Sequence, residues 1–122
     1  MGAFLCRWIV GAGGFIGEIT LEAMDATDHY IRGRDKRVYV ELTNLHIHPL
    51  RRGKGWSDIL IRKALGHAQQ RGWCVFLRCV PYNKPHMKAD DLIAFYSRYG
   101  FKSLRGDRRE MVLRWPVSTK HR

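Results

Sequence analysis

The feature that most constrains this chain is a change of period in its middle. Val38–His48, "VYVELTNLHIH", alternates, with Val38, Val40 and Leu42 set against Tyr39, Glu41 and Thr43. A repeat of two puts successive side chains on opposite faces of a strand, and Pro49 stops the run because proline cannot donate to a ladder. From Trp56 to Gln70 the apolar positions instead recur every fourth residue: Leu60, Ala64 and Ala68, with Ile61 and Leu65 alongside. That spacing predicts one face of a helix. Asp58 suits its positive N-terminal end, and Gly72 is placed to end it. "WCVFLRCV" then reads as a second buried strand. Strand, glycine turn, helix, strand is a βαβ unit, so the two strands should be parallel.

The rest of the chain fits around that unit. "AFLCRWIV" and "FIGEITLEAM" are strand-like runs joined by "GAGG" in a hairpin, and "DATDHYIRGRDKR" is an exposed loop. Beyond the unit come the proline-containing loop "PYNKPHMKA" and a second helix, "DDLIAFYSRYG", opened by Asp90 and Asp91 and closed by Gly100. Two short strands, "FKSL" and "EMVLRW", precede a basic end, "STKHR". The order β-β-β-α-β-α-β-β predicts an α/β fold on a mixed central sheet. Its 122 residues suit one domain spanning residues 1–122, since they can build one core but not two.

Composition narrows the function classes. With 45% hydrophobic and 27% charged residues the chain reads as globular rather than disordered. Its net charge of +11 favours anions: nucleic acid, acidic proteins, anionic lipid or phosphorylated ligands. No window is apolar for long enough to span a membrane, and no membrane partner is expected. Arg7 and the glycines 11, 13 and 14 interrupt the N-terminal apolar run, which excludes a signal peptide, and Cys6 stands where myristoylation wants Ser or Thr. Cys6, Cys74 and Cys79 are odd in number and irregular in spacing, so they read as reduced core residues of a cytoplasmic protein. Cys74 and Cys79 should face opposite sides of their strand and cannot share a zinc.

Cations, glycines and a helix start coincide at "HIHPLRRGKGWSDIL". The stretch lacks the G-x-x-x-x-G-K-[ST] of a Walker loop, and Asp58 takes the place of the third glycine in a dinucleotide fingerprint. "GAGGFIG" also misses that fingerprint, at Ile16. What remains is Arg52, Gly53, Lys54, Gly55, Trp56 and Ser57, a turn whose backbone N–H groups converge at a helix N-terminus. Such a turn suits a pyrophosphate, and it equally suits simple chain reversal.

"HPLRRGKGWSDIL" resembles motif A of the GNAT acetyltransferases, V-x-P-x-x-[RQ]-G-x-G-x-[GA], and "DDLIAFYSRYGF" resembles that family's closing helix, F-Y-x-x-x-G-F. The resemblance implies a single-domain GNAT fold with acetyl-CoA as donor and no metal. Its pyrophosphate would lie on the N–H groups of Arg52 to Ser57, and its pantetheine arm would pair with the backbone of Leu45, His46 and Ile47. Tyr96, in the F-Y position, would protonate the departing thiolate. Ser57 departs from the family's final Gly or Ala, and the asparagine common before the closing helix is absent near Ala89. The strand and two helices that usually begin the family look shortened or missing, which would leave the acceptor groove open or completed by a second subunit of a homodimer.

A lysine amine has an unperturbed pKa of about 10.4, so a base would help acetyl transfer. Glu41 sits where some histone-type members of the family carry a glutamate base, and His46 and His48 are rivals. Alternate-residue histidines without a third ligand do not make a metal site. Small members of this shape look like phage-encoded ones, some of which acetylate a protein lysine; the charge instead suits RNA, as in acetylation of aminoacyl-tRNA. A different class stays open: a non-catalytic basic module that binds nucleic acid or inhibits a partner through Arg105, Arg108, Arg109, Arg114 and the tail Lys120 to Arg122.

Overall fold

The computed structural model describes residues 4–11, 14–24, 37–79, 88–104 and 106–115. Residues 25–36 and 81–87 of the loops expected at 25–37 and 81–89, the tip of the first hairpin, Val80, Arg105 and the basic end lie outside the described residues. In chain order the elements are β1 (Phe4–Gly11), β2 (Phe15–Ala23), β3 (Tyr39–Ile47), α1 (Trp56–Arg71), β4 (Cys74–Arg78), α2 (Ala89–Ser97), β5 (Lys102–Leu104) and β6 (Asp107–Leu113), with a short 3-10 turn at Pro49–Arg51. The six strands form one sheet in the order β1-β2-β3-β4-β6-β5. β3 and β4 are parallel, as the βαβ reading requires, and every other pair is antiparallel.

The buried face of α1 is Leu60, Ile61, Ala64, Leu65 and Ala68, the five residues the period selects. They share one core with Leu92 and Tyr96 of α2 and with Ile19, Val40, Val75 and Met111 of the sheet. Both helices therefore cover the same sheet face. The other face carries a smaller cluster of Tyr39, Cys74, Phe76 and Val112. Cys74 and Cys79 fall in different clusters, on opposite faces as their spacing implies. Cys6 is not a core residue; it is half-buried on the edge strand, its Sγ 3.3 Å from His67 Nε2.

Several boundaries differ from the sequence reading for local reasons. Val38 is 53% exposed and precedes β3. His48 leaves the ladder to cap the 3-10 turn, its Nδ1 accepting from the Leu50 N–H at 3.2 Å. α2 starts at Ala89 because the Asp91 carboxylate accepts from the Lys88 N–H at 3.1 Å, which makes Lys88 the cap. β6 begins three residues before "EMVLRW", since the hairpin turns at Gly106 (φ 103°) and brings Asp107 opposite Leu104. Charged Asp107, Arg108 and Arg109 give no apolar alternation from which to read that strand.

Candidate functional site

The sheet is interrupted where β3 and β4 should continue together. Their ladder holds only Tyr39, Val40 and Glu41 against Cys74, Val75 and Phe76. β3 then runs on to Ile47 with no ladder partner on its β4 side among the described residues. Its other side stays paired to β2, where Glu18 meets His46 but Thr20 meets Thr43. Two steps on β2 thus oppose three on β3, a bulge, and Asn44 within it has φ 53°. A bulge bends its strand and increases its twist. Gly17 allows the close approach, because a Cβ there would come within 2.6 Å of the His46 carbonyl oxygen. β3 is therefore held against β2 while, among the described residues, a gap opens beside β4. The backbone of Leu45, His46 and Ile47 lies along that gap.

The glycine turn sits at the same end of β3. The Arg51 N–H donates to the His48 carbonyl at 2.8 Å, and Arg52 Nε donates to the Ile47 carbonyl at 3.1 Å, which ties the turn to the strand. Gly53 and Gly55 have φ 79° and 85°. A Cβ on either would meet nothing within 4 Å, so backbone conformation and not crowding selects glycine, and the space above both is open. Gly55 is the N-cap of α1 and, being glycine, offers no side-chain cap bond. Its first-turn N–H groups have no intrahelical partner by geometry. Arg52 and Lys54 are exposed beside them, Ser57 is half-buried, and Trp56 packs on the core.

Asp58, in the first turn of α1, accepts from the Tyr99 hydroxyl at 2.6 Å and from Arg62 Nε at 2.9 and 3.0 Å. The bond from Tyr99 and then that from Arg62 hold its carboxyl below the usual range. Burial and the bond to Asp58 push the Tyr99 phenol up to about 12. Nothing in the periodicity pointed to Tyr99.

Tyr96 lies in the core of α2, 8% exposed, with its ring edge-on to Phe95 and Phe101. Burial foremost, then neighbouring Cys79 and Tyr99, pushes its phenol well above the ordinary range, so it keeps its proton. Cys79, just past the end of β4, is raised by burial to about 11. Glu41 occupies the last paired position before the gap, on the sheet face opposite Tyr96. Its carboxylate accepts from Arg78 at 2.9 Å, and Arg78 also meets Glu110 at 3.4 Å. His46 stacks on Phe15 with centroids 6.0 Å apart, while His48 caps the turn. Among the described residues no group of three or more His, Cys, Asp or Glu is placed to hold a metal, and no helix is long and apolar enough to cross a membrane. Three arginines of the basic-module reading have partners within the chain: Arg108 with Asp90, Arg109 with Asp107, and Arg114 with the Tyr39 hydroxyl.

The sequence model of the acetyltransferase (GNAT) family matches residues 5–101. No curated protein matches the chain. Among solved structures, the chain is similar to the anti-CRISPR protein AcrVA5, at 18% identity and TM-score 0.61, over 92% of this chain and all of that one. It is similar also to a GNAT family acetyltransferase from Brucella melitensis in complex with acetyl-CoA, at 18% identity and TM-score 0.62, over 93% of this chain and 60% of that one. A third is Arabidopsis thaliana Naa50 in complex with the bisubstrate analogue CoA-Ac-MVNAL, at 17% identity and TM-score 0.54, over 84% of this chain and 66% of that one. Likenesses at these identities speak for the fold. The family match spans both the glycine turn and the Tyr96 helix, and by it this chain belongs to the GNAT acetyltransferase family.

Proposed function

We propose that the protein is an N-acetyltransferase that moves an acetyl group from acetyl-CoA to an amine by direct attack within a ternary complex. The observation that carries this reading is the glycine turn opening onto the gap between β3 and β4. The N–H groups of Arg52 to Ser57 and the positive end of α1 suit a pyrophosphate, with Arg52 and Lys54 adding charge. β3 at Leu45–Ile47, which has no ladder partner on its β4 side among the described residues, suits the amide groups of a pantetheine arm, which would add to it as a strand does. The thioester then lies between Glu41 and Tyr96, on opposite faces of the sheet.

A neutral amine attacks the thioester carbonyl, a C–N bond forms and the C–S bond breaks. Glu41 takes the amine proton, directly or through water, and Arg78 fixes its carboxylate. Tyr96 donates a hydrogen bond to the leaving sulfur, which departs as the CoA thiolate and takes its proton from solvent. Its raised pKa makes full transfer uphill toward an ordinary thiolate, so its main service is a hydrogen bond that strengthens as charge collects on sulfur. The acceptor is an amine on a protein. A net charge of +11 favours one surrounded by acidic residues over a lysine-rich peptide.

The test is acetyl-CoA labelled in its acetyl group, added with the enzyme to lysate fractionated into protein, RNA and small molecules. Label enters the protein fraction, and Tyr96→Phe lowers its rate by about a hundredfold or more while acetyl-CoA binding is kept. Label in RNA moves the acceptor to aminoacyl-tRNA. Label in none of the three, with cofactor bound, overturns the transfer reading.

A further inference from the structure

The chain has four glutamates, and the fold puts all of them on the sheet face opposite α1 and α2. Glu18, Glu22, Glu41 and Glu110 each adjoin a residue of the helix-side core: Ile19, Leu21, Val40 and Met111. Successive strand residues point to opposite faces, so the glutamates share the other one. Arg7 meets Glu18 at 3.4 Å, and Arg78 bridges Glu41 and Glu110. Glu22 is treated differently. It pairs in register with Glu41, where like charges directly opposite destabilise a ladder. Yet among the described residues its carboxylate meets no cation and accepts only from the Thr43 hydroxyl, at 2.5 Å. Thr20 pairs with Thr43 in the next step of the ladder toward the gap end of β3. It is 1% exposed, and among the described residues its hydroxyl has no hydrogen-bond partner, which costs stability.

A carboxylate without a counter-ion and a buried hydroxyl without a partner thus stand together beside Glu41. One ligand answers both: a primary ammonium, with a positive charge and three donors. We infer, resting on the transfer reading above, that Glu22, Thr20 and Thr43 seat the acceptor's amine and that the acceptor is a lysine side chain. A lysine amine arrives charged, with an unperturbed pKa of about 10.4, whereas an α-amine at about 7.7–8.0 is already partly neutral. The seat takes only the ammonium itself, so the basic surface elsewhere can still draw the acidic surroundings of that lysine. The seated ammonium loses one proton to solvent, the neutral amine attacks the thioester, and Glu41 takes a second. The CoA thiolate takes up one, so each turnover releases one proton.

The experiment compares the wild type, Glu22→Gln and Thr20→Val. Binding of n-butylammonium chloride is followed by the carboxyl carbon resonances of glutamate-labelled protein, without acetyl-CoA and against sodium chloride at equal concentration. In the wild type the Glu22 resonance shifts saturably while those of Glu18 and Glu110 stay, and each substitution weakens binding about tenfold. Thr20→Val leaves Tm unchanged or raises it, because an unpaired buried hydroxyl is removed; a hydroxyl with a structural role would lower it. Mass spectrometry then locates the acetyl label in lysate protein. It lies on lysine side chains, and Glu22→Gln cuts the rate at limiting acceptor about tenfold with Kd for acetyl-CoA unchanged. No shift at Glu22, a Tm that falls in Thr20→Val, or label on α-amines overturns the inference. A shift at Glu22 with label in no fraction upholds the ammonium seat and overturns the transfer reading instead.

Discussion

Gly55→Ala and Gly72→Ala form a matched pair that separates backbone strain from ligand binding. Both glycines are left-handed, φ 85° and 70°, and a Cβ at either meets nothing within 4 Å. They cap opposite ends of the 16-residue α1, 17 residues and about 26 Å apart at 1.5 Å per residue. An L-residue in that conformation costs about 1–2 kcal/mol. The stiffer unfolded chain offsets about 0.4–1 kcal/mol. The net loss is therefore about 1 kcal/mol for each, or a fall in Tm of roughly 4 °C for a domain of 122 residues. Thermal melts should show the two falling alike. Calorimetric titration with acetyl-CoA should then part them. Gly72→Ala binds like the wild type, whereas the methyl group of Gly55→Ala intrudes where the pyrophosphate approaches and weakens binding by about tenfold or more. Equal affinity in the two variants, with equal loss of Tm, would refute the assignment of the anion to this turn.

Other expectations follow from burial, charge and position. Phe76→Ala empties a fully buried place on the sheet face opposite α1 and α2 and should cost about 3–5 kcal/mol in a urea melt, a loss that a surface residue would not show. The fold raises Cys79 from 9.0 to about 11 and Tyr99 from 10.0 to about 12, both favouring the protonated form. Their contribution is complete below about pH 9 and is lost as the pH climbs toward 12, so the urea midpoint should fall across that window; a flat midpoint contradicts it. Glu41→Gln keeps an oxygen for Arg78, so stability should change by less than about 1 kcal/mol. Its kcat should drop about a hundredfold or more with KM for acetyl-CoA unchanged; an unchanged kcat passes the base role to His46, His48 or water.

The parallel β3–α1–β4 unit was legible because its period changes sharply, and the five buried residues of α1 follow from spacing alone. The glycine turn was legible as a turn at a helix start, and Gly53 and Gly55 are indeed left-handed there, but the residues by themselves suited chain reversal as well as an anion. What escaped was set by tertiary contact. The bulge at Asn44 depends on how β2 pairs with β3, and Glu41 gives no sign in the sequence of its partner Arg78, 37 residues away. The Tyr99–Asp58 bond spans 41 residues, from the first turn of α1 to the turn after α2, and neither helix's own pattern predicts it. Alternation could not find the start of β6, because its first three residues are charged and the hairpin register alone places them.

Everything proposed for this protein depends on the turn beside the β3–β4 gap binding acetyl-CoA. Calorimetric titration of the purified protein with acetyl-CoA, beside Gly55→Arg, tests it most directly. Micromolar binding at one site per chain, abolished by the arginine side chain, is the predicted result. An intact protein that gives no binding would contradict the account, since a family fold would then stand without its donor site.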